Sequence, residues 1–177
     1  MPIERSKLHP TVKIWHPELV NIYDSEIGKG TKIACFVEIG GSKVGNLCKI
    51  ECGAFIPPGS VIEDKVFIGP NVSLTNDRYP DLNNSKWMPE PVTIRCGARI
   101  GSNSVIVSGV TIGEGALIGS GSVVTEDVPP QTIAYGNPAR IKGYDRIHDK
   151  IEKLLLKNPD IAESEFAEEL RMIFQEG

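Results

Sequence analysis

The chain has 177 residues, 40% hydrophobic and 24% charged, a balance that fits one main globular unit with a small appendage. A formal net charge of -4 without any cluster of Lys and Arg argues against nucleic acid as the main partner, because neutralising phosphates requires a concentrated basic face. No apolar run approaches membrane-spanning length, and MPIERSKLHPTVKIW lacks the basic start and apolar block of a secretory signal, so no membrane partner and a cytoplasmic location are expected.

In chain order, aliphatic anchors at Leu8, Ile14 and Val20 open a repeat of six residues with a less regular start. Ile27, Ile33 and Ile39 keep the step, and one five-residue unit then leads to Val44. From there Val44, Ile50, Ile56, Ile62, Ile68 and Leu74 run unbroken, and Ile94, Ile100, Ile106, Ile112, Ile118 and Val124 form a second run. Four residues after each of these anchors stands a mostly small residue, for example Cys48, Ala54, Ser60, Ala98, Ser104 and Ala116. A period of six matches neither a helix nor a long alternating strand, but it suits a short strand followed by a sharp corner. Three such units make one triangular coil, and stacked coils bring the anchors into internal columns at about 4.8 Å per coil.

Gly28, Gly45, Gly69, Gly101, Gly113 and Gly119 each follow an anchor, where glycine is expected to allow a tight turn at little steric cost. Within this pattern GEGALIGSGS is structural and not a phosphate loop, since a dinucleotide fingerprint needs a following helix. Cys35, Cys48, Cys52 and Cys96 show no C-x-x-C spacing, and the chain has only three histidines with which to complete a zinc site. They read as small buried or half-buried thiols, and no metal is expected.

The repeat breaks once, at VSLTNDRYPDLNNSKWMPEPVTI, where Leu74 and Ile94 are separated by one hexad and fourteen further residues. The extra segment, about residues 76–91, is expected to leave the prism at a corner while the coil resumes in register, which costs little closure entropy and suits a binding loop. Counting in eighteens with the insertion removed puts Asn76 in a corner column with Pro58 below it and Ser108 and Glu126 above. TNDRYP reads either as turn chemistry or as a site in which Asn76 and Asp77 face a cleft. Beyond GNPARIKG, at about residue 143, the repeat stops. Ile147, Ile151, Leu154 and Leu155, then Ala162, Phe166, Leu170 and Ile173, form two helical stripes separated by Asn158-Pro159. These helices are expected to cap the last coil, as a repeat array requires.

The hexads resemble the hexapeptide-repeat acyltransferases, which implies an all-β, left-handed parallel β-helix with a C-terminal α-helical extension. LTNDRYP, the hexads from Thr93 to Pro130 and AYGNPAR together resemble a narrower subgroup, the sugar-nucleotide 3-N-acetyltransferases. That resemblance runs from about residue 20 to residue 142. It implies acetylation of the amino group of a UDP- or dTDP-linked aminosugar, with acetyl-CoA as co-substrate, in a homotrimer. It also implies that Asn76 hydrogen-bonds the substrate amine. Acetyl-CoA would lie along the later coils between two protomers, past Ser108, Gly119 and Ser120, with Asn137, Pro138, Ala139 and Arg140 at its nucleotide end. Arg140 would meet a CoA phosphate, or else pair with the C-terminal helices. Two positions depart from the subgroup: Asp81 after Pro80, where Arg is frequent, and Cys52-Gly53, where a polar pair is frequent.

Hydroxyl acylation commonly employs a histidine base, but His9, His16 and His148 all fall outside the regular repeat and the loop. An amine needs chiefly orientation, so Asn76 is assigned to position it and Asp77, or the departing CoA sulfur, to take its proton. A backbone N–H of a later coil would hold the oxyanion. Arg78, Lys86 and Trp87 are candidates for the sugar nucleotide through phosphate pairing and stacking, or for anchoring the loop. The alternatives are an O-acetyltransferase of the same fold, a γ-type carbonic anhydrase, which needs three converging histidines, and a non-enzymatic scaffold.

Overall fold

The computed structural model describes residues 3–82 and 88–144. A representative coil consists of Phe55–Ile56, Val61–Ile62 and Phe67–Ile68, each a two-residue strand in a different sheet. Ser73–Leu74 then lies over Phe55–Ile56, so every third strand pairs in parallel with its predecessor. The described residues build three such sheets of seven, six and eight strands, which form the faces of a parallel β-solenoid. We call them the first, second and third faces, in the order in which that coil visits them.

The two-residue strand follows from the hexad. The anchor points inward and the residue before it outward, while the small residue four places on fits the crowded corner. Ile39, Ile56, Leu74 and Ile106 stack on the first face with no solvent exposure. Full burial of each such side chain contributes roughly 1.5–3 kcal/mol of transfer free energy. Three inward columns of this kind make one continuous core along the prism.

Serines at the corners between the first and second faces satisfy the backbone of the turn. Ser42 donates from Oγ to the carbonyls of Gly40 and Pro57, while its own N–H donates to Ser25 Oγ. Side chains thus stand in where the backbone leaves the ladder, which is what buried polar groups require.

Two sequence expectations need correction. Val20 is not an anchor: the 3-10 turn Pro17–Leu19 shifts the frame, so Ile22 pairs with Ile3 below and Ile39 above. Val20 becomes the corner residue before that strand. The glycines after the anchors are also needed for a different reason. At Gly69 a Cβ would sit 2.8 Å from the Ile100 carbonyl oxygen, and at Gly101 it would sit 2.5 Å from the Ser120 nitrogen. These glycines permit close approach of the next coil, and none of the six has a positive φ. The left-handed turn falls further on, at Asn71, Asn103 and Gly121.

The insertion leaves and returns without disturbing the stack: Val61 pairs with Thr93 and Ile62 with Ile94 in unbroken register. At the top of the third face, Thr132–Gly136 pairs in parallel with Leu117–Ile118 and antiparallel with Ala139–Tyr144. This hairpin, turning at a cis Asn137-Pro138 bond, covers one edge of the solenoid. The C-terminal helical extension from about residue 143 is expected mostly from residues outside the described ones. No described helix is long and apolar enough to cross a membrane.

Candidate active site

The corner from which the insertion departs lies between the first and second faces, directly after Leu74. Thr75 donates from its backbone N–H to the Ile106 carbonyl, 3.0 Å, and its Oγ1 accepts the Ser108 N–H at 2.8 Å. Asn76 donates from Nδ2 to the Pro58 carbonyl one coil below, at 3.1 Å. Its own carbonyl accepts the Glu90 N–H at 2.9 Å, and the Glu90 carbonyl accepts Gly109 N–H at 3.0 Å. Both ends of the loop are therefore stitched to the same corner, and the loop hangs from a closed neck.

Local sequence explains the exit. Gly59 turns at φ +92, and Pro91 and Pro89 come to lie over it, with Pro91 3.3 Å from where a Cβ would stand. The prolines hold the returning strand extended just before the hexads resume. Asp77 accepts the Tyr79 N–H on Oδ1 at 3.0 Å, the turn role expected of Asp at this place. Arg78 reaches back and donates from Nη2 to the Ser108 carbonyl, 3.0 Å. Beyond this neck the loop exposes Tyr79, Leu82 and Met88. Lys86 and Trp87 lie outside the described residues.

The structure thus brings Asp77 and Arg78 to the corner where Asn76 and Ser108 share the column that counting in eighteens gave. Ser108, though, is fully buried at this neck, and its Oγ finds no hydrogen-bond partner among the described residues. Sequence reasoning placed Pro58 in this column but passed over Thr75 and Glu90. Glu90 was findable, since a residue between two prolines in MPEPV is a natural hinge for a returning chain.

The other expected cofactor residues gather at the opposite edge of the first face. Gly119 has both backbone groups engaged: its N–H donates to Ala134 and its carbonyl accepts the hydroxyls of Ser104 and Ser122. Its N–H is therefore taken by Ala134, and its lack of a side chain admits Tyr135, 2.7 Å from a would-be Cβ. Ser120 beside it is exposed. Asn137 and Pro138 form the exposed hairpin tip, tied to this edge by a Gly136 N–H to Ser122 Oγ bond of 3.2 Å. Arg140 is exposed and, among the described residues, bonds to the adjacent Ala139 carbonyl at 3.0 Å. An exposed cation of this kind fits a CoA phosphate. Within one chain these two groups are separated by the width of the first face.

His9 contacts Thr11 and His16 contacts Glu18, both in the first coil and far from Asn76. Among the described residues there is no cluster of three or more His, Cys, Asp or Glu able to hold a metal.

Residues 91–126 match the family model described as bacterial transferase hexapeptide (six repeats). The match covers the second run of hexads, the one that follows the insertion. The chain is 49% identical over 51 residues to a dTDP-3-amino-3,6-dideoxy-alpha-D-galactopyranose 3-N-acetyltransferase from Aneurinibacillus thermoaerophilus, covering 29% of this chain and 27% of that protein. It is 44% identical over 84 residues to the galactoside O-acetyltransferase of Escherichia coli strain K12, covering 45% of this chain and 41% of that protein. The chain therefore spans less than half the length of these curated relatives. Among solved structures, it resembles a hexapeptide-repeat-containing acetyltransferase from Vibrio cholerae O1 biovar eltor complexed with acetyl-CoA. That likeness has a TM-score of 0.57 and 26% identity over 81% of this chain and 73% of the other.

Proposed function

We propose that the protein is an acetyl-CoA-dependent N-acetyltransferase that acts on the amino group of a nucleotide-linked aminosugar for surface polysaccharide biosynthesis. The reading includes the left-handed winding of the family and a homotrimer, in which the two edges of the first face meet across neighbouring copies. The observation that carries it is the fixed amide of Asn76. With one Nδ2–H committed to the Pro58 carbonyl, the amide is held in place and its Oδ1 is an acceptor suited to one N–H of a substrate amine. Accepting that proton holds the amine's lone pair towards an acyl carbon, and orientation is the main help an amine needs.

Acetyl-CoA would supply the activated acetyl group, with Arg140 and the Asn137-Pro138 tip at its nucleotide end. Asp77 has Oδ1 engaged by the Tyr79 N–H, so its second oxygen is the candidate proton acceptor beside the departing sulfur. Arg78 closes the neck through Ser108 and presents its remaining donors to the loop, where they suit a diphosphate. Similarity to a dTDP-aminosugar 3-N-acetyltransferase supports this choice of substrate class.

A second reading, sugar O-acetylation, is favoured by the longer match to the galactoside O-acetyltransferase. Against it stands the distance of both described histidines from Asn76, which leaves a hydroxyl without an imidazole base. The test is a panel of UDP- and dTDP-linked 3- and 4-aminosugars, together with simple galactosides, incubated with acetyl-CoA and followed by thiol release. Turnover of an aminosugar nucleotide is expected; turnover of galactosides alone selects the second reading. Calorimetry showing no acetyl-CoA binding would sink both.

A further inference from the structure

The transferase reading leaves unused the thiol pair on the corner between the third and first faces. Cys35 and Cys52 stand on successive coils, 17 residues apart in sequence, with sulfurs 3.4 Å apart. Both are half-buried, and neither is in a disulfide. Their backbones are directly joined, because Gly53 donates its N–H to the Cys35 carbonyl at 3.2 Å. The strands before them are in register, Lys32 on Lys49 and Ile33 on Ile50. In-register parallel neighbours are separated by about 4.8 Å, inside the roughly 4.4–6.8 Å Cα span that a disulfide bridges without moving the chain. The two left-handed turns that follow, at Phe36 and Gly53, fix the corner rigidly.

We propose that Cys35 and Cys52 are an oxidation site, a dithiol that a peroxide converts to a disulfide joining the second and third coils. The adjacent sulfurs share a hydrogen bond in which Cys35 is held above the ordinary thiol range, chiefly by that bond to Cys52 and then by burial. The Cys52 sulfur gives up its proton and attacks one oxygen of hydrogen peroxide, the O–O bond breaks and one water leaves. Cys35 sulfur then attacks the Cys52 sulfenic acid, the S–O bond breaks, the S–S bond forms and a second water leaves. Two thiols and one peroxide thus give one disulfide and two waters. Among the described residues, Cys48 and Cys96 have no thiol within hydrogen-bond distance. Cys48 is buried where Cys35 and Cys52 are only half-buried, and burial keeps peroxide from its sulfur.

The inference stands apart from the transferase reading, and so does its test. Full-length protein is treated with hydrogen peroxide, alkylated, digested with trypsin without reductant and examined by mass spectrometry. The expected product is one peptide pair joining 33–43 to 50–65, lighter by two hydrogens than the separate peptides and lost on reduction. The thermal unfolding midpoint should rise on oxidation of the wild type and fall back with reductant, because the bridge constrains the unfolded chain. The C35S and C52S variants should show neither change, and their remaining thiol should instead carry oxygen adducts. Separate adducts on both wild-type cysteines, a bridge through Cys48 or Cys96, a bridge between chains, or full resistance to peroxide would each overturn the proposal. The wild-type measurement decides it even where a variant fails to fold.

Discussion

Asn76 Nδ2 donates to the carbonyl of Pro58, 3.1 Å away and one coil below, so the amide cannot turn without breaking a bond to the solenoid wall. Around it, Thr75, Glu90 and Gly109 tie the loop neck to the same corner. Replacing Asn76 by Ala removes the acceptor and leaves the Pro58 carbonyl to solvent. Turnover with an aminosugar nucleotide should fall by about 100-fold, the scale on which misplacing a reacting group acts. The KM for acetyl-CoA should hold. Steady-state thiol release checks both, and unchanged turnover would remove Asn76 from the reaction.

Ser108 gives a prediction in the opposite direction. The Ser108 hydroxyl is buried with no partner among the described residues, and such a group carries a desolvation cost of roughly 1–3 kcal/mol. Ser108→Ala keeps the backbone bonds to Thr75 and Arg78, so the unfolding free energy in urea should stay level or rise by about 1 kcal/mol. A drop in acetyl-CoA affinity in the same variant would show that the hydroxyl meets the cofactor in the assembled protein.

Gly101 and Gly121 separate the two reasons for glycine. A Cβ at Gly101 would press on the Ser120 backbone at 2.5 Å, whereas at Gly121 it would meet nothing within 4 Å but would have to adopt φ +71. Gly121→Ala should cost about 1–2 kcal/mol, the strain of a left-handed residue. Gly101→Ala should cost more than that, because two coils must separate and overpacking alone costs about 1–3 kcal/mol with the corner ladder lost besides. Thermal and urea melts of the two variants settle the order.

Cys48 makes stability fall with alkaline pH. Burial pushes its thiol from the ordinary 9.0 up to about 11, so between these values the unfolded chain releases a proton that the folded chain retains. The unfolded state then binds fewer protons, and stability declines as pH rises through that window, by up to about 1.4 kcal/mol per unit. Cys48→Ala places at this corner the residue found at the equivalent Ala98 and Ala116, and it should flatten this part of the pH profile. Urea unfolding at pH 8 and pH 10 for both proteins measures the difference.

The sequence was informative where neighbouring coils repeat one another. From Val44 to Leu74 and from Ile94 to Val124 the hexad gave each inward residue, because period and packing coincide there. It also located the insertion and the Pro58, Asn76 and Ser108 column, since residues eighteen apart must stack once the coil is triangular. Where the coil length changes, period alone misleads: a three-residue 3-10 turn moved the anchor from Val20 to Ile22.

The period also says nothing about contacts between coils at a corner, where side chains meet across the stack and not along the chain. The 3.4 Å approach of Cys35 to Cys52, the closeness of Gly101 to Ser120 and the direction of the Asn76 amide all depend on how one turn sits on the next. By itself, then, the sequence determined a triangular solenoid with one loop at a known corner. Tertiary stacking decided which atoms of that corner are committed and which stay available, because donors and acceptors are matched only when two coils are in contact.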